Sequence, residues 1–140
     1  MGIISVMAGF AVMGVKSAQA KARDARRKSD IKQYQTALEA YANKNNGFYP
    51  TISGTDAAVQ LCPQLAMPSC PTNPVGNPYG YSSNGGGGAS ATRYVLWTYL
   101  ERRRDNQDVV WVICSDGRVG TVPQSGFSVS NGNCPNPTAE

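Results

Sequence analysis

Residues 16–50 read KSAQAKARDARRKSDIKQYQTALEAYANKNNGFYP, and they decide the fold. Residues 16–45 contain neither Pro nor Gly and are rich in Ala, Lys, Arg and Gln, which are strong helix formers. Apolar and aromatic side chains recur there at spacings of three and four residues, which is one face of a helix: Ile31, Tyr34, Leu38 and Tyr41. The sequence Asn45-Asn46-Gly47 predicts the helix end, because Asn and Gly tolerate the left-handed conformation.

The helix pattern extends upstream into an apolar start. Residues 1–15, MGIISVMAGFAVMGV, carry no charge, and no helix breaker lies between Val15 and Asn45. One helix of about 45 residues would be ~65 Å long, too long for a 140-residue globule to cover. We therefore expect its first half to be buried in a bilayer or against copies of itself, through Ile3, Ile4, Val6, Phe10, Val12 and Val15.

A second interpretation of the same region is a secretory signal peptide. Ala18-Gln19-Ala20 resembles a cleavage site, which would leave a secreted soluble domain that starts at Lys21. Against it, no basic segment precedes the apolar run, and the first charge is Lys16, on the opposite side. We favour the continuous helix.

The positive charge of the chain is concentrated in one segment. Residues 16–32 carry seven Lys or Arg against two Asp, whereas the whole chain has a formal net charge of +4. Three interpretations stay open: a solvated helix face with an Asp24–Lys28 pair, an electrostatic contact between subunits, or a nucleic-acid contact. The last is disfavoured because residues 16–30 contain no aromatic side chain for stacking on bases. The candidate residues are Lys21, Arg23, Arg26, Arg27 and Lys28.

The residue inventory argues against an enzyme. The chain has no histidine, so no Ser or Cys has the usual activating base, and we predict no catalytic residue and no cofactor. Asp105 and Asp108, with Asn106 between them, could flank a cation. Arginines at 102–104 oppose that, and a solvated hairpin loop is the favoured interpretation.

Four cysteines, Cys62, Cys70, Cys114 and Cys134, contain no CxxC spacing and do not support a zinc site. An even number in a small domain rich in Gly and Pro predicts two disulfides and an oxidising compartment. Three pairings are possible, and closeness in sequence favours Cys62–Cys70 and Cys114–Cys134.

The second half of the chain predicts a small antiparallel sheet. Residues 93–101 and 109–114 are rich in β-branched and aromatic side chains, and a two-residue Asp116-Gly117 turn leads into VGTV at 119–122. A short helix capped by Asp56 is expected at 56–66, and 67–88 read as loop, with a flexible GGGG tip. The predicted class is α+β, with the helix stripe packed on a three-stranded meander.

This order of elements resembles the type IV pilin-like proteins, and most closely the major pseudopilins of type II secretion and related bacterial pilins. The segment Arg23–Pro50 carries most of the resemblance, and NPVGNPY at 73–79 is similar to the D-P-x-G-N-P-Y loop of pseudopilins. The resemblance implies a pilin fold and a filament subunit held in the inner membrane before it enters a periplasmic or extracellular filament. It implies copies of the same chain and a pilus or type II secretion assembly machinery as partners, with a DNA-uptake pilin as an alternative.

Two departures from the family pattern affect these expectations. The family has a prepilin-peptidase site and a glutamate near the mature start, but no acid precedes Asp24 here, so we expect the chain to be N-terminally incomplete. Pseudopilins often bind calcium through acids in the C-terminal loop, but residues 121–137 contain none, and a Cys114–Cys134 disulfide could hold that tail. The expected layout is an apolar helix half at 1–20 and a headgroup at 21–140.

Overall fold

A computed structural model describes residues 3–54 and 56–139, with the side chains of 3–14 and 53–54 outside that description. Helix α1 spans Ile3–Lys44, 42 residues without interruption, which confirms the predicted continuous helix. It ends as predicted, because Asn46 and Gly47 adopt φ of 56° and 84°, and the Gly47 N–H donates to the Ala42 carbonyl at 2.8 Å. Within the described residues, no helix combines the length and the apolar character needed to cross a membrane.

Seven strands follow the helix within the described residues, and they form two sheets. A pair of short strands makes the smaller sheet, β1 (Tyr49–Pro50) with β4 (Ala89–Ala91). The main sheet has the order β2-β3-β5-β6-β7 and is antiparallel throughout. Its strands are β2 (Ser53–Gly54), β3 (Gly80–Ser83), β5 (Tyr94–Tyr99), β6 (Val109–Cys114) and β7 (Val119–Pro123).

The predicted meander is present as β5, β6 and β7, but the prediction of a single three-stranded sheet is wrong. Residues 80–83 were expected to be loop because Gly and Pro surround them, and yet Tyr81 pairs with Leu96 of β5 in an antiparallel ladder. The ring of Trp97 covers this strand, since a Cβ added at Gly80 would lie 2.0 Å from the Trp97 ring. The glycine therefore serves close packing here and does not mark a turn.

The main sheet lies between two layers. One face packs on α1, through Tyr94 and Leu96 of β5 and Ile113 of β6. The opposite face carries a second apolar cluster, including Val95 and Val112, which is covered by partly buried side chains of the C-terminal segment 124–139. The class is α+β, as predicted.

The helix contributes the stripe that fills the first layer. Ile31, Tyr34 and Leu38 are fully buried, in keeping with the predicted helix–sheet packing. Tyr41 is only partly buried, and Ala42, four residues after Leu38, takes the last buried position. The spacing of four keeps the stripe on one side of the helix.

The short helix expected at 56–66 is a single π-helical turn, Ala57–Leu61. Asp56 caps it as predicted, because its carboxylate accepts the backbone N–H groups of Ala58 and Val59. Two disulfides are present, as expected. Cys62–Cys70 closes the loop after this turn, and Cys114–Cys134 ties the C-terminal segment to β6.

The turn between β6 and β7 is in the predicted place but is not of the predicted type. Ile113 pairs with Val119, and the Cys114 N–H donates to the Arg118 carbonyl at 2.9 Å, so the loop has three residues, 115–117. Gly117 has φ of 87°, whereas Asp116 does not have a positive φ, as a type I′ turn would require. The arrangement is that of a type I turn followed by a glycine bulge.

Candidate functional site

A buried guanidinium connects three segments where α1 first meets the head. Arg27 is 2% exposed and lies on the same helix face as Ile31 and Tyr34. Its Nη1 donates to Asp24 Oδ1 at 2.7 Å, and its Nη2 donates to Glu101 Oε1 at 2.6 Å. Its other hydrogen bonds reach the NPVGNPY loop: Nε donates to Asn73 Oδ1 and Nη2 to the Val75 carbonyl, both at 2.9 Å. We call Asp24, Arg27, Glu101 and Asn73, with the Val75 carbonyl, the junction network.

Asp24 supplies the buried acid of this network. Besides the Arg27 guanidinium, its carboxylate accepts the backbone N–H groups of Glu101 at 2.9 Å and Arg102 at 3.0 Å. A buried carboxylate is costly unless it is paired and hydrogen-bonded, and here both oxygens have donors. The carboxylate thereby fixes the start of the β5–β6 loop on the helix.

Glu101 lies at the rim of the network and binds two arginines. Arg23 donates to it from Nε and Nη2, at distances of 2.6–3.0 Å, and Arg27 donates from Nη2. Hydrogen bonds lower the pKa of Glu101 to about 2, those from Arg23 contributing most and those from Arg27 next. This side chain therefore stays charged through the acidic range in which exposed carboxylates protonate.

The loop at 73–79 is held on the helix at its other end as well. The Tyr79 hydroxyl donates to Asp30 Oδ2 at 2.6 Å, and the Tyr34 hydroxyl donates to the Pro71 carbonyl at 2.8 Å. Burial, followed by the bond to Asp30, raises the pKa of Tyr79, so its hydroxyl remains a donor. The helix segment 23–50 and the loop at 73–79 are thus in direct contact.

The basic segment, for which a solvated helix face, a contact between subunits and a nucleic-acid contact were the predicted alternatives, is not a uniformly solvated face. Arg27 is buried, and Arg23 is bound to Glu101, so neither offers an unpaired charge to solvent. Arg26 is the exposed member, with its side chain 64% exposed and 3.8 Å from Asp30. Lys21 is exposed, and the Lys28 ammonium lies 4.1 Å from the centre of the Trp111 ring. The segment therefore divides into a buried part and an exposed part.

Sequence reasoning missed the junction network for a specific reason. Its acid on the sheet side, Glu101, is 74 residues from Arg27, and Asn73 is 46 residues away, so no local pattern links them. The spacing of three between Asp24 and Arg27 is the one local signal, and it fits an ion pair on a helix as well as the predicted Asp24–Lys28 spacing does.

The residues weighed for metal binding are engaged in other contacts. Asp108 accepts from Arg103 Nε at 2.8 Å in the exposed β5–β6 loop. The side chains of Cys114, Asp116 and Cys134 lie close together, but both sulfurs belong to the disulfide. Hydrogen bonds from Arg118 hold the pKa of Asp116 below its usual range. Neither group presents a set of unengaged ligands.

The far side of the main sheet has a cavity of about 620 Å³ between β5 and residues 127–131. Its lining consists of three aromatic residues, Trp97, Tyr99 and Phe127, together with serine and asparagine side chains. Trp97 is only 7% exposed, because Gly80 and Phe127 pack against its ring. The Trp97 ring therefore offers little open face to the cavity, whereas Tyr99 and Phe127 are only partly buried.

Comparisons of this chain with protein-family models, with curated proteins and with solved structures found no match.

Proposed function

We propose that this chain is a structural subunit of a helical filament, either a type IV pilus-like filament or a type II secretion pseudopilus, which assembles through the N-terminal part of α1. The observation that carries the proposal is the uneven covering of the helix. Buried positions run from Asp24 to Ala42, whereas none of residues 15–22 is buried. Helices in proteins are stabilised mainly by packing of one face, so the uncovered part needs a partner. Copies of the same chain would supply it in a filament.

The composition of the helix up to Val15 supports packing between copies. The sequence from residue 3 to Val15 is uncharged and contains Gly and Ala among larger apolar residues, which allows helices to approach closely. Val15, the last of the expected core residues, is 53% exposed in the single chain. The other five lie among the side chains outside the description: Ile3, Ile4, Val6, Phe10 and Val12.

The contacts of the head give a second line of support. Arg27 and Asp30 come from the segment that resembles pilins, and they bind Asn73, the Val75 carbonyl and Tyr79 of the second resembling segment. The two disulfides fit a head that folds in an oxidising compartment after export. The proposed location is the inner membrane before assembly and a periplasmic or extracellular filament afterwards, and the proposed activity is assembly without catalysis or a cofactor.

A matched pair of substitutions tests the filament role. Val15 and Val59 are 53% and 69% exposed, so neither Val15→Lys nor Val59→Lys removes a buried side chain. With the full chain co-expressed with its assembly machinery, we expect Val15→Lys to abolish sheared surface filaments and Val59→Lys to retain them, as counted by electron microscopy and immunoblot. Equal filament yields from both variants would contradict assembly through α1.

The secreted-domain alternative predicts a different mature protein. Intact-mass measurement of the exported chain decides between them, because cleavage after Ala20 leaves Lys21 as the first residue. That result would overturn the filament proposal. The DNA-uptake alternative requires salt-dependent binding of duplex DNA that is lost in Arg26→Glu, the substitution of the exposed arginine.

A further inference from the structure

Five cationic side chains surround a cleft of about 360 Å³ between α1 and the β5–β6 loop. We call these residues the basic cleft: Lys21, Lys28, Arg102, Arg103 and Arg104. Asp24 also lines it, but its carboxylate is engaged by Arg27 and by two backbone N–H groups. The cleft therefore combines concentrated positive charge with an acid that is already neutralised.

Lys21, Arg102 and Arg104 supply the positive charge of the cleft that is open to an external anion. Arg103 is paired with Asp108, while the bonds that Arg104 makes with the described residues go to neutral acceptors, the Thr121 hydroxyl at 3.0 Å and the Ala139 carbonyl at 3.5 Å. Lys21 and Arg102 are exposed. The Arg102 backbone N–H binds Asp24, which fixes this residue at the cleft without using its guanidinium.

The cleft lies at the end of the head that is nearest to the apolar part of the helix. Strand β5 runs antiparallel to α1, because the Tyr94 hydroxyl binds Glu39, whereas Glu101, seven residues later, binds Arg23. The β5–β6 loop is thus carried back toward the N-terminal side of the head. Lys21 follows the uncharged run, which ends at Val15, by six residues, or ~9 Å along the helix axis.

We propose that the basic cleft binds the phosphate headgroups of acidic phospholipids at the membrane surface from which α1 emerges. The inference rests on the proposed function, which places the apolar part of α1 in the membrane before assembly. Clusters of Lys and Arg next to an apolar segment are the pattern that anionic lipid surfaces attract. A site for single-stranded nucleic acid is the weaker interpretation, because none of the described residues that line the cleft is aromatic, and stacking on bases is therefore missing.

The test compares two double variants of equal charge in the full-length chain. Lys21→Gln with Arg102→Gln removes two cleft charges, and Lys32→Gln with Lys44→Gln removes two exposed charges elsewhere on the helix. Each basic residue near an anionic surface contributes about fivefold to partitioning, so the cleft variant is expected to lose about 25-fold in its preference for acidic vesicles. Cosedimentation with phosphatidylcholine vesicles, with and without phosphatidylglycerol, measures that preference.

The salt dependence provides a measurement that does not need a variant. The preference of the unmodified chain for phosphatidylglycerol should disappear between about 0.1 M and about 1 M salt, as the Debye length falls from about 10 Å to about 3 Å. Binding to phosphatidylcholine alone, through α1, should persist over that range. This neutral binding tests the proposed function, whereas the increment from phosphatidylglycerol tests the cleft, so the two failures are distinguishable.

The inference is supported if the cleft variant loses the increment and the control variant keeps it. An increment that is absent from the unmodified chain, or that both variants lose equally, would overturn it. So would loss of duplex DNA binding in the cleft variant with its lipid preference unchanged, because the cleft would then be a nucleic-acid site.

Discussion

Replacing Arg27 tests whether the junction network holds the head on the helix. Arg27→Met keeps an unbranched side chain that matches arginine as far as Nε, but it removes all the donors of the guanidinium, which bind two carboxylates, the Asn73 amide oxygen and the Val75 carbonyl. Breaking a buried ion pair from one side leaves an uncompensated charge and typically costs about 3–5 kcal/mol. Asp24 keeps two backbone donors after the change, so we expect the lower part of that range.

Arg26→Met is the matched control. Arg26 is the neighbouring residue, its side chain is 64% exposed, and its contact with Asp30 is 3.8 Å. Asp30 itself is buried but keeps the Tyr79 hydroxyl as its hydrogen-bond donor, so losing this long contact with an exposed guanidinium should cost about 0–1 kcal/mol. The difference between the two variants isolates burial and pairing from the loss of one positive charge.

Urea unfolding with the disulfides intact, followed by tryptophan fluorescence, measures the free energy of unfolding of each variant. Urea is uncharged and leaves the ion pairs unscreened, unlike guanidinium chloride. Asp24→Asn should lower the free energy of unfolding by less in the Arg27→Met variant than in the unmodified chain, because the effects of substitutions within one network are not additive. If Arg27→Met and Arg26→Met lower the free energy of unfolding equally, or if the double change is additive, the network does not hold the head.

Two further predictions follow from single side chains. Because the pKa of Glu101 is lowered to about 2, its contribution to stability is present above the pKa of about 4.5 that it has when unfolded, and it is lost as the pH falls toward 2. Urea midpoints should therefore decline over that window and decline less in Glu101→Gln; an identical decline in both would refute the assignment. Gly80→Ala should be destabilising and shift the fluorescence of the tryptophan in β5, whose ring would lie 2.0 Å from the new Cβ, while Gly86→Ala, in open space, should do neither. Equal thermal midpoints for the two glycine variants would show that the close contact relaxes without cost.

The features that were predictable from sequence are those with local signals. The helix end at Asn45-Asn46-Gly47 is determined by the residues that adopt it, and so is the cap at Asp56. The enrichment in β-branched and aromatic residues predicts β5 and β6. In each case the residues that decide the element lie within a few positions of one another.

The features that were missed depend on residues far apart in the chain. Strand β3 contains Gly80 and two serines, which are poor strand formers, and it exists because β5 offers it a partner and a ring to pack against. Arg27 is buried because Glu101 and Asn73 arrive from other segments to satisfy it. Composition alone assigns an arginine in a basic run to solvent, since an unpaired arginine is almost never buried.

Residues 21–42 of α1 contribute a buried stripe to the core on one face and exposed side chains on the other. Its positions are apolar or aromatic at Ile31, Tyr34 and Leu38, and the same face continues through Arg27 to Asp24, where it becomes charged. An apolar junction of similar volume would be at least as stable, since burying an ion pair carries a large desolvation cost. What the guanidinium adds is direction, because its planar donors fix the acceptors of residues 73–79 and of Glu101 in one arrangement on the helix. Charged residues outside the stripe, such as the exposed Lys21, do not take part in this junction and face the surroundings of the head at the N-terminal end of its helix.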